Sequence, residues 1–239
     1  MKIGHVIEKI YGQIINDEID FYKLLNRKAK KNTLLSLFDP ENGKRWDQVV
    51  KPISLLRENE LLYKRWVNTR REETLRLSDG KVGYVHIPQM NDRGMRKVID
   101  EARGRHGLAN ALIIDTRFNG GGNLSSKLTA FLIGKQYIVA SHRGQNLSFG
   151  SSWTKPTVML VGESNYSDAY NVPRLYRLKN GGQIVGMPVI RLRVLDEDVY
   201  FENHQLEPDI KSQNEPTKLS KGRDQQLEAA VKELMERNQ

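Results

Sequence analysis

Two short apolar runs constrain the fold of this chain more than any other feature. Residues 111–115 and 157–161 read Ala-Leu-Ile-Ile-Asp and Thr-Val-Met-Leu-Val, a pattern typical of strands that are buried on both faces of a parallel sheet. Helical spacing of apolar residues predicts helices over 93–106, 124–134 and 222–237. Because strands alternate with helices, the sequence predicts an α/β core with parallel strand pairing.

The first 46 residues form a separate and smaller group of structural signals. The pattern predicts strands at Val6–Ile10 and Thr33–Phe38, a helix over 20–25 and a turn over 39–43. So few elements cannot enclose an independent core, and we interpret the stretch as the end of a domain whose beginning lies outside the chain. We predict two domains, 1–48 and 49–239. A polar helix that runs through Val67, a turn at 78–81 and a strand at 82–87 follow.

Composition excludes several classes of protein. The chain has 239 residues and no cysteine, so disulfides, thiolate catalysis and cysteine-ligated metals are excluded. The net charge is +9, but the 38 lysines and arginines are scattered and not interleaved with aromatic residues, so we expect no nucleic-acid partner. The chain contains no apolar run of about 18 residues, as a membrane helix needs, and we expect no membrane partner. We see no metal-binding cluster and predict no cofactor.

The segment after the first apolar run contains three consecutive glycines. It reads Asp115-Thr-Arg-Phe-Asn-Gly-Gly-Gly-Asn123 and leads into the helix predicted over 124–134. Glycines let successive N–H groups converge, and the helix N-terminus adds its positive end, so the segment suits a phosphate or an oxyanion. The alternative is a tight structural turn. No Gly-Lys-Ser/Thr follows, which disfavours a phosphate-binding Walker loop.

The segment after the second apolar run contains a serine in a similar position. It reads Val161-Gly-Glu-Ser-Asn-Tyr-Ser-Asp-Ala169 and precedes a predicted helix. A serine at a strand-to-helix junction is exposed, and the N–H groups that follow it are available to an oxyanion. Ser167 would equally suit the N-cap of that helix. Spacing by itself favours the cap.

Together, these segments resemble the tricorn branch of the carboxy-terminal processing peptidases. The resemblance runs from about residue 50 to the end of the chain and rests on ordered motifs. They are Gly83-Tyr-Val-His-Ile-Pro-x-Met90, Ile113-Ile-Asp-x-Arg117 with Asn119-Gly-Gly-Gly122, Glu163-x-x-x-Ser167-Asp168, Ile184-Val-Gly186, Glu202-Asn203 with Glu207-Pro-Asp-Ile210, and Gly222-Arg-Asp-x-Gln-Leu227.

The resemblance implies a role for each matched residue. Ser167 would be the nucleophile, the N–H of Asp168 and one or two in Gly120-Gly121 would form the oxyanion hole, and Glu202 would orient the catalytic groups. In tricorn-type sites the base is a histidine upstream of a PDZ domain, so we expect it outside this chain. The five histidines present are His5, His86, His106, His142 and His204. Ser141-His142 lies in the wrong place for the family, His86 is expected to be structural, and His204 is expected to be a surface residue near Glu202.

The other branch of the family uses a lysine base on the strand after the nucleophile helix. Here residues 186–193 contain Arg191 and Arg193 but no lysine. Because an arginine does not deprotonate in proteins, a Ser–Lys dyad is disfavoured. Glu202 follows Ser167 by only 35 residues, fewer than the family needs for its intervening strands and loop.

The resemblance also supplies the fold and the function that we expect. The core would be crotonase-like, and residues 1–48 would be the C-terminal half of a PDZ domain with its turn at Gly12. The expected function is a serine peptidase that cleaves peptides or unfolded proteins through an acyl-enzyme. The alternative is an inactive peptide-binding or structural module of the same fold. A nucleotide-binding protein is the third reading, which the missing lysine and acidic ribose partner disfavour. Tricorn members form rings, so a homo-oligomer is compatible with the resemblance. It does not decide the compartment.

Overall fold

The computed structural model describes residues 1–133, 140–142, 145–147, 152–169, 172–173, 176, 184–185, 193–194, 199–200 and 207–237. The chain divides into two compact units, Met1–Trp66 and Val67–Gln239. The proposed site residues Glu202 and His204, and the motif residue Gly186, lie outside the described residues.

The first unit contains a four-stranded antiparallel sheet in the order β2-β1-β3-β4. The strands are β1 (Val6–Ile10), β2 (Gln13–Ile14), β3 (Thr33–Phe38) and β4 (Arg45–Val50), and the short helix α1 spans Phe21–Leu25. The predicted β1, β3 and α1 are confirmed. Alternation along β3 buries Thr33, Leu35 and Leu37, as expected where one face of a sheet meets a core.

Strand β4 was not predicted, and it carries the sheet on to Val50. Its residues alternate between exposed and half-buried, because only one face of the strand meets the small core, against which Trp46 and Val50 pack. β4 lies at one edge of the sheet and pairs with β3. Its sequence, Arg-Trp-Asp-Gln-Val-Val, has an apolar and polar alternation too irregular to stand out against the preceding turn.

Helix α2 (Leu55–Leu77) is longer than the predicted helix, which ended near Val67. The segment contains no proline or glycine before Gly80, so nothing interrupts the helical hydrogen bonds. The helix ends where Gly80 adopts a φ of +76° and donates its N–H to the Leu75 carbonyl at 2.8 Å, a helix-terminating arrangement that favours glycine.

The second unit is built on a parallel sheet in the order β10-β9-β6-β5. Its strands are β5 (Val82–His86), β6 (Ala111–Asp115), β9 (Thr157–Leu160) and β10 (Ile184–Val185). Every residue of β5, β6 and β9 is buried. The predicted parallel pairing of the two apolar runs is confirmed. Two antiparallel pairs, β7 (Ala140–His142) with β8 (Gln145–Leu147) and β11 (Arg193–Val194) with β12 (Val199–Tyr200), complete the described strands.

Three helices lie close to the predicted positions, and a fourth, the four-residue helix at Pro216–Leu219, was not predicted. They are α3 (Asp92–Asp100), which continues as a π-helical turn (Glu101–Arg105), α4 (Ser125–Ile133), α5 (Pro216–Leu219) and α6 (Gln225–Arg237). The predicted apolar face of α6 is confirmed, with Leu227, Ala230, Val231 and Leu234 buried. Within the described ranges, no helix is both long enough and apolar enough to cross a bilayer.

Candidate active site

Two segments of the candidate site lie side by side because the strands that precede them are neighbours. One is the glycine turn, residues 116–123, and the other is the serine loop, residues 161–168. β6 and β9 pair in parallel, with Asp115 opposite Leu160 at their carboxyl ends. Loops that leave the carboxyl ends of adjacent parallel strands meet at one edge of the sheet, where α/β folds bind ligands. Here they are joined directly, since the Tyr166 N–H donates to the Asn119 carbonyl at 3.0 Å.

Ser167 has the conformation of an exposed residue on a sharp turn. Its φ is +53°, in the left-handed region that costs an L-residue about 1–2 kcal/mol, and its side chain is exposed. Helical residues begin directly after it, at Asp168 and Ala169. An N-cap residue has an extended backbone, so the geometry disfavours the alternative that Ser167 is only a cap. None of the described residues hydrogen-bonds its hydroxyl.

Two of the three glycines are required by close contacts. A Cβ on Gly121, whose φ is +91°, would lie 2.7 Å from the Cβ of Ser167 and 2.7 Å from the Tyr166 carbonyl oxygen. A Cβ on Gly122, whose φ is +146°, would lie 2.0 Å from the Met90 carbonyl oxygen. The Met90 N–H donates to the Gly121 carbonyl at 2.9 Å. The turn therefore fits between the segment after β5 and the serine loop, a close backbone approach that only glycine allows.

Asn119 connects three segments of the site with one side chain and its own backbone. Its amide nitrogen donates to the Ile87 carbonyl at 2.8 Å, and its amide oxygen accepts the Gly121 N–H at 2.8 Å. Its backbone carbonyl accepts the Tyr166 N–H. Asn119 is fully buried, so each bond is protected from competing water. The sequence motif contains Asn119, but its connecting role depends on contacts between three separate strands.

Asp168 holds the start of α4 with its carboxylate. Oδ2 of Asp168 accepts the N–H groups of Leu124 at 2.5 Å and Ser125 at 2.9 Å. These are unsatisfied donors at the N-terminus of a helix, where a negative charge is favourable. Asp168 therefore caps a helix that precedes it by more than 40 residues, and it fixes the serine loop to the segment that follows the glycine turn. The sequence predicted only a backbone role for Asp168.

The predicted oxyanion donors differ in availability. The Gly121 N–H is bonded to Asn119. In the described part of the chain, the N–H groups of Gly120 and Asp168 donate to no other group. Gly120 is exposed, and a Cβ placed on it would meet nothing within 4 Å. The N–H groups of Gly120 and Asp168 thus remain without a partner among the described residues, while Gly121 lies in close contact with Ser167.

A buried charge network lies beneath the glycine turn. Arg117 binds Asp115 through Nη2 at 2.6 Å and Nε at 3.0 Å, and it binds Asp224 through Nη1 at 2.9 Å. Burial opposes the charge of Arg117, but the two carboxylates outweigh it and raise the pKa of Arg117. Burial likewise opposes the charge of Asp224, but Arg117 lowers the pKa of Asp224 overall. Tyr84 donates to Asp115 at 2.7 Å, and burial first, then Asp115, raises the pKa of Tyr84 well above its ordinary value.

Two of the described histidines, His86 and His106, are buried. His86 is buried and donates from Nε2 to the Arg117 carbonyl at 2.9 Å, so the expectation for this residue is confirmed. Burial lowers the pKa of both His86 and His106. His106 packs against Gly83, where a Cβ would lie 2.6 Å from its ring. His142 lies in β7. In the ranges that the structure describes, no group of three or more metal-binding side chains occurs.

The comparisons with known proteins identify the class. The model of peptidase family S41 matches residues 81–206, more than half of the chain, and this range includes the glycine turn, Ser167 and Glu202. The chain belongs to peptidase family S41, a family of serine-type peptidases.

Within that family, the chain is similar to tricorn proteases. It is 26% identical over 264 residues to the tricorn protease of Thermoplasma acidophilum, covering 98% of this chain and 24% of that protein. It is 28% identical to a putative tricorn protease homolog 2 of Streptomyces coelicolor, over 98% and 22% of the two chains. It is also 28% identical to a putative tricorn-like protease C-terminal subunit of Sulfurisphaera tokodaii, covering 97% of this chain and 29% of that protein. The chain thus spans about a quarter of these relatives' length.

A solved tricorn structure has the same fold. The crystal structure of the tricorn protease superposes with a TM-score of 0.76 at 24% identity, covering 98% of this chain and 25% of that one. The mixed α/β fold of tricorn is thereby confirmed for this chain.

Proposed function

We propose that this chain carries the nucleophile and the oxyanion donors of a tricorn-like serine peptidase. Ser167 is the nucleophile, and the N–H groups of Gly120 and Asp168 are the donors. The observation that carries the proposal is the left-handed, exposed Ser167 beside a glycine turn. Membership of family S41 and similarity to tricorn proteases support the same assignment.

The chemistry follows from this arrangement. Oγ of Ser167 attacks the carbonyl carbon of a peptide bond, its proton passes to a base, and the carbonyl oxygen becomes an oxyanion. The two free amides stabilise that oxyanion, a contribution of about 2.7–4 kcal/mol for a single donor in serine peptidases. The leaving amine takes the proton from the protonated base. Water then attacks the acyl carbon while the base accepts its proton, and the base returns that proton to Oγ of Ser167 as the acid product leaves.

The base in this proposal is a histidine from a segment outside the chain. The side chains of His5, His86 and His106 form no hydrogen bond with Ser167. Glu202 remains the proposed acid that orients the catalytic groups. Loss of the base removes a factor on the order of 10²–10⁴ or more from the rate, so we expect residues 1–239 alone to be inactive or nearly so.

Other predicted features belong to the same proposal. Residues 1–48 are the C-terminal half of a PDZ domain, and residues 49–239 are a crotonase-like peptidase core. The substrate is a peptide or an unfolded protein, and a homo-oligomer is consistent with similarity to tricorn. The four-stranded sheet with one short helix in the first unit supports the first assignment, and the parallel sheet of the second unit supports the other.

The test is labelling with a fluorophosphonate probe followed by peptide mapping. The probe is applied to the 239-residue chain, and to the full natural polypeptide if that extends further. We expect label on Ser167 in the form that includes the base and none after heat denaturation. Ser167→Ala removes the label. The matched control is Ser164→Ala, which changes an exposed serine of the same loop and keeps the label.

Three outcomes decide between the functions. Label on Ser167 of the isolated chain means that a base is present within residues 1–239, which contradicts an external histidine. Label only in a longer form supports the proposal. If no form is labelled and none hydrolyses peptides, the chain is a peptide-binding or structural module, and the enzymatic proposal is wrong.

A further inference from the structure

The geometry points to Asp224 as a positioning residue for catalysis, acting through Arg117 on both turns of the active site. This inference rests on the proposed function, because it concerns the reactivity of Ser167. It assigns a catalytic purpose to the start of α6, an element far from Ser167 in sequence.

Asp224 occupies the junction between α6 and the buried charge network. Its Oδ1 accepts the Leu227 N–H at 3.1 Å, which caps α6, and it also accepts Nη1 of Arg117 at 2.9 Å. Its Oδ2 lies 3.3 Å from Nε of Arg70 in α2. The Asn214 amide also donates to Oδ1 at 3.3 Å. Both carboxylate oxygens are therefore bound, and Asp224 is only 3% exposed.

Arg117 links Asp224 to the glycine turn. It is the second residue after β6, and the left-handed Phe118 and then Asn119 follow it directly, with Phe118 at a φ of +63°. The Arg117 N–H and side chain both bind Asp115, and its carbonyl accepts Nε2 of His86 at 2.9 Å. The backbone of Arg117 is thus fixed at both of its peptide groups, and its guanidinium is held by two carboxylates. Arg117 therefore sets the direction in which the chain enters the glycine turn.

Arg117 also touches the loop that carries the nucleophile. Gly162 lies at the start of that loop, and a Cβ there would lie 3.4 Å from Cγ of Arg117. One residue further back along the glycine turn, Oγ1 of Thr116 accepts the Asn165 amide at 2.9 Å. The aliphatic part of the Arg117 side chain thus packs against the start of the serine loop at Gly162. The backbone of Arg117 continues through Phe118 and Asn119 to Gly120. A shift of Arg117 moves the donors and the nucleophile relative to each other.

The charge of Asp224 is what keeps Arg117 in this place. Two carboxylates share one buried guanidinium, and a charge-assisted bond is about twice as strong as a neutral one. A neutral residue at position 224 would remove one of the two carboxylates that hold Arg117, leaving it the charge of Asp115 and the neutral amide oxygen of Gln226 at 3.1 Å. Catalysis is sensitive to such shifts, since a misplacement of about 1 Å costs about 10²-fold in rate.

The test compares Asp224→Asn with two controls in the form of the protein that labels at Ser167. Asparagine keeps the size and an acceptor oxygen for the α6 cap but removes the charge. We expect at least a 10-fold lower kcat for peptide hydrolysis, an equal fall in the labelling rate of Ser167, and a KM within 2-fold. Glu228→Gln removes a charge from the first turn of the same helix, where Glu228 binds exposed Arg223, and leaves kcat unchanged.

The second control separates positioning from loss of stability. Val231→Ala makes a small cavity beneath α6 without touching Arg117, and it lowers the melting temperature while kcat stays within 2-fold. A double-mutant cycle with Arg117→Gln shows whether Asp224 acts through Arg117, because Asp224→Asn then has no further effect on kcat. An unchanged kcat in Asp224→Asn, or an equal fall in Val231→Ala, overturns the inference. If the unchanged protein fails to label at Ser167, the proposed function itself has failed.

Discussion

The Cα of Gly121 lies so close to Ser167 that a Cβ on the glycine would be 2.7 Å from the serine Cβ. Real Cβ atoms do not approach so closely, and the Gly121 backbone is also left-handed, with a φ of +91°. The contact couples the two turns of the site. A side chain at position 121 would therefore displace Ser167, the residue that we propose as the nucleophile.

Gly121→Ala is expected to remove most of the reactivity of Ser167. The strained backbone and the contact lower the free energy of unfolding by about 1–3 kcal/mol, and displacement of the serine lowers the labelling rate by about 10²-fold. Urea unfolding and the rate of fluorophosphonate labelling measure the two effects. Gly104→Ala is the matched control, because a Cβ on Gly104 meets nothing within 4 Å. A fully reactive Gly121→Ala protein would contradict the close packing of the two turns.

Ser167→Gly is expected to be more stable than Ser167→Ala. Both substitutions remove the hydroxyl, but alanine keeps the Cβ that disfavours a φ of +53°. Glycine adopts this conformation without steric cost, so the difference is about 1 kcal/mol in favour of glycine. Parallel urea unfolding curves of the two variants measure it. If alanine is the more stable of the two, Ser167 does not have a left-handed backbone in solution.

Asp168→Ala is expected to weaken both the start of α4 and the serine loop. Its carboxylate accepts two N–H groups, from Leu124 and Ser125, and losing such a cap costs about 0.5–2 kcal/mol. Because the same side chain fixes the loop, labelling of Ser167 should slow by at least 10-fold.

Ser54→Ala provides the control for that experiment. Oγ of Ser54 accepts the Arg57 N–H at the start of α2, so its loss also removes a helix cap. It should lower stability by a similar amount without slowing the labelling of Ser167. Equal labelling rates in the two variants would show that Asp168 has a capping role alone.

Acid should destabilise the chain through its buried histidines. Burial lowers the pKa of His86 and His106 from the ordinary 6.5, so the unfolded state binds more protons than the folded state below that value. The two histidines therefore do not reduce the free energy of unfolding above pH 6.5. As the pH falls from 6.5 towards their lowered pKa values, the free energy of unfolding decreases by at most about 1.4 kcal/mol per pH unit for each histidine.

The groups that face these histidines modify the effect without changing its sign. At His86, the charge of Asp115 raises the pKa and the charge of Arg117 lowers it. At His106, Glu101 raises the pKa and Arg71 lowers it. Urea unfolding at pH 7.5 and pH 5.5 measures the loss. His106→Gln should reduce the difference between the two pH values. If the difference is unchanged in this variant, His106 does not contribute to the acid sensitivity.

Much of the second unit could be predicted from the sequence, since its signals are local. The apolar runs at 111–115 and 157–161 can be stable only when both faces are buried, and they form neighbouring parallel strands. The α6 face that contains Leu227 and Leu234 follows from helical periodicity. Strand β4 and the second half of α2 were missed, because an edge strand and a polar helix have weak periodicity.

The sequence by itself determined which segments carry the residues of the proposed site. Ser167 and the three glycines each follow a buried strand, and this order can be read without coordinates. The tertiary structure alone decided how these residues act on one another. Gly121 is bonded to Asn119 and pressed against Ser167. Asp168 caps a helix that precedes it. Asp224 binds Arg117 across 107 residues of sequence. Such contacts depend on which strands become neighbours, and that is decided by the packing of the whole sheet and not by any local pattern.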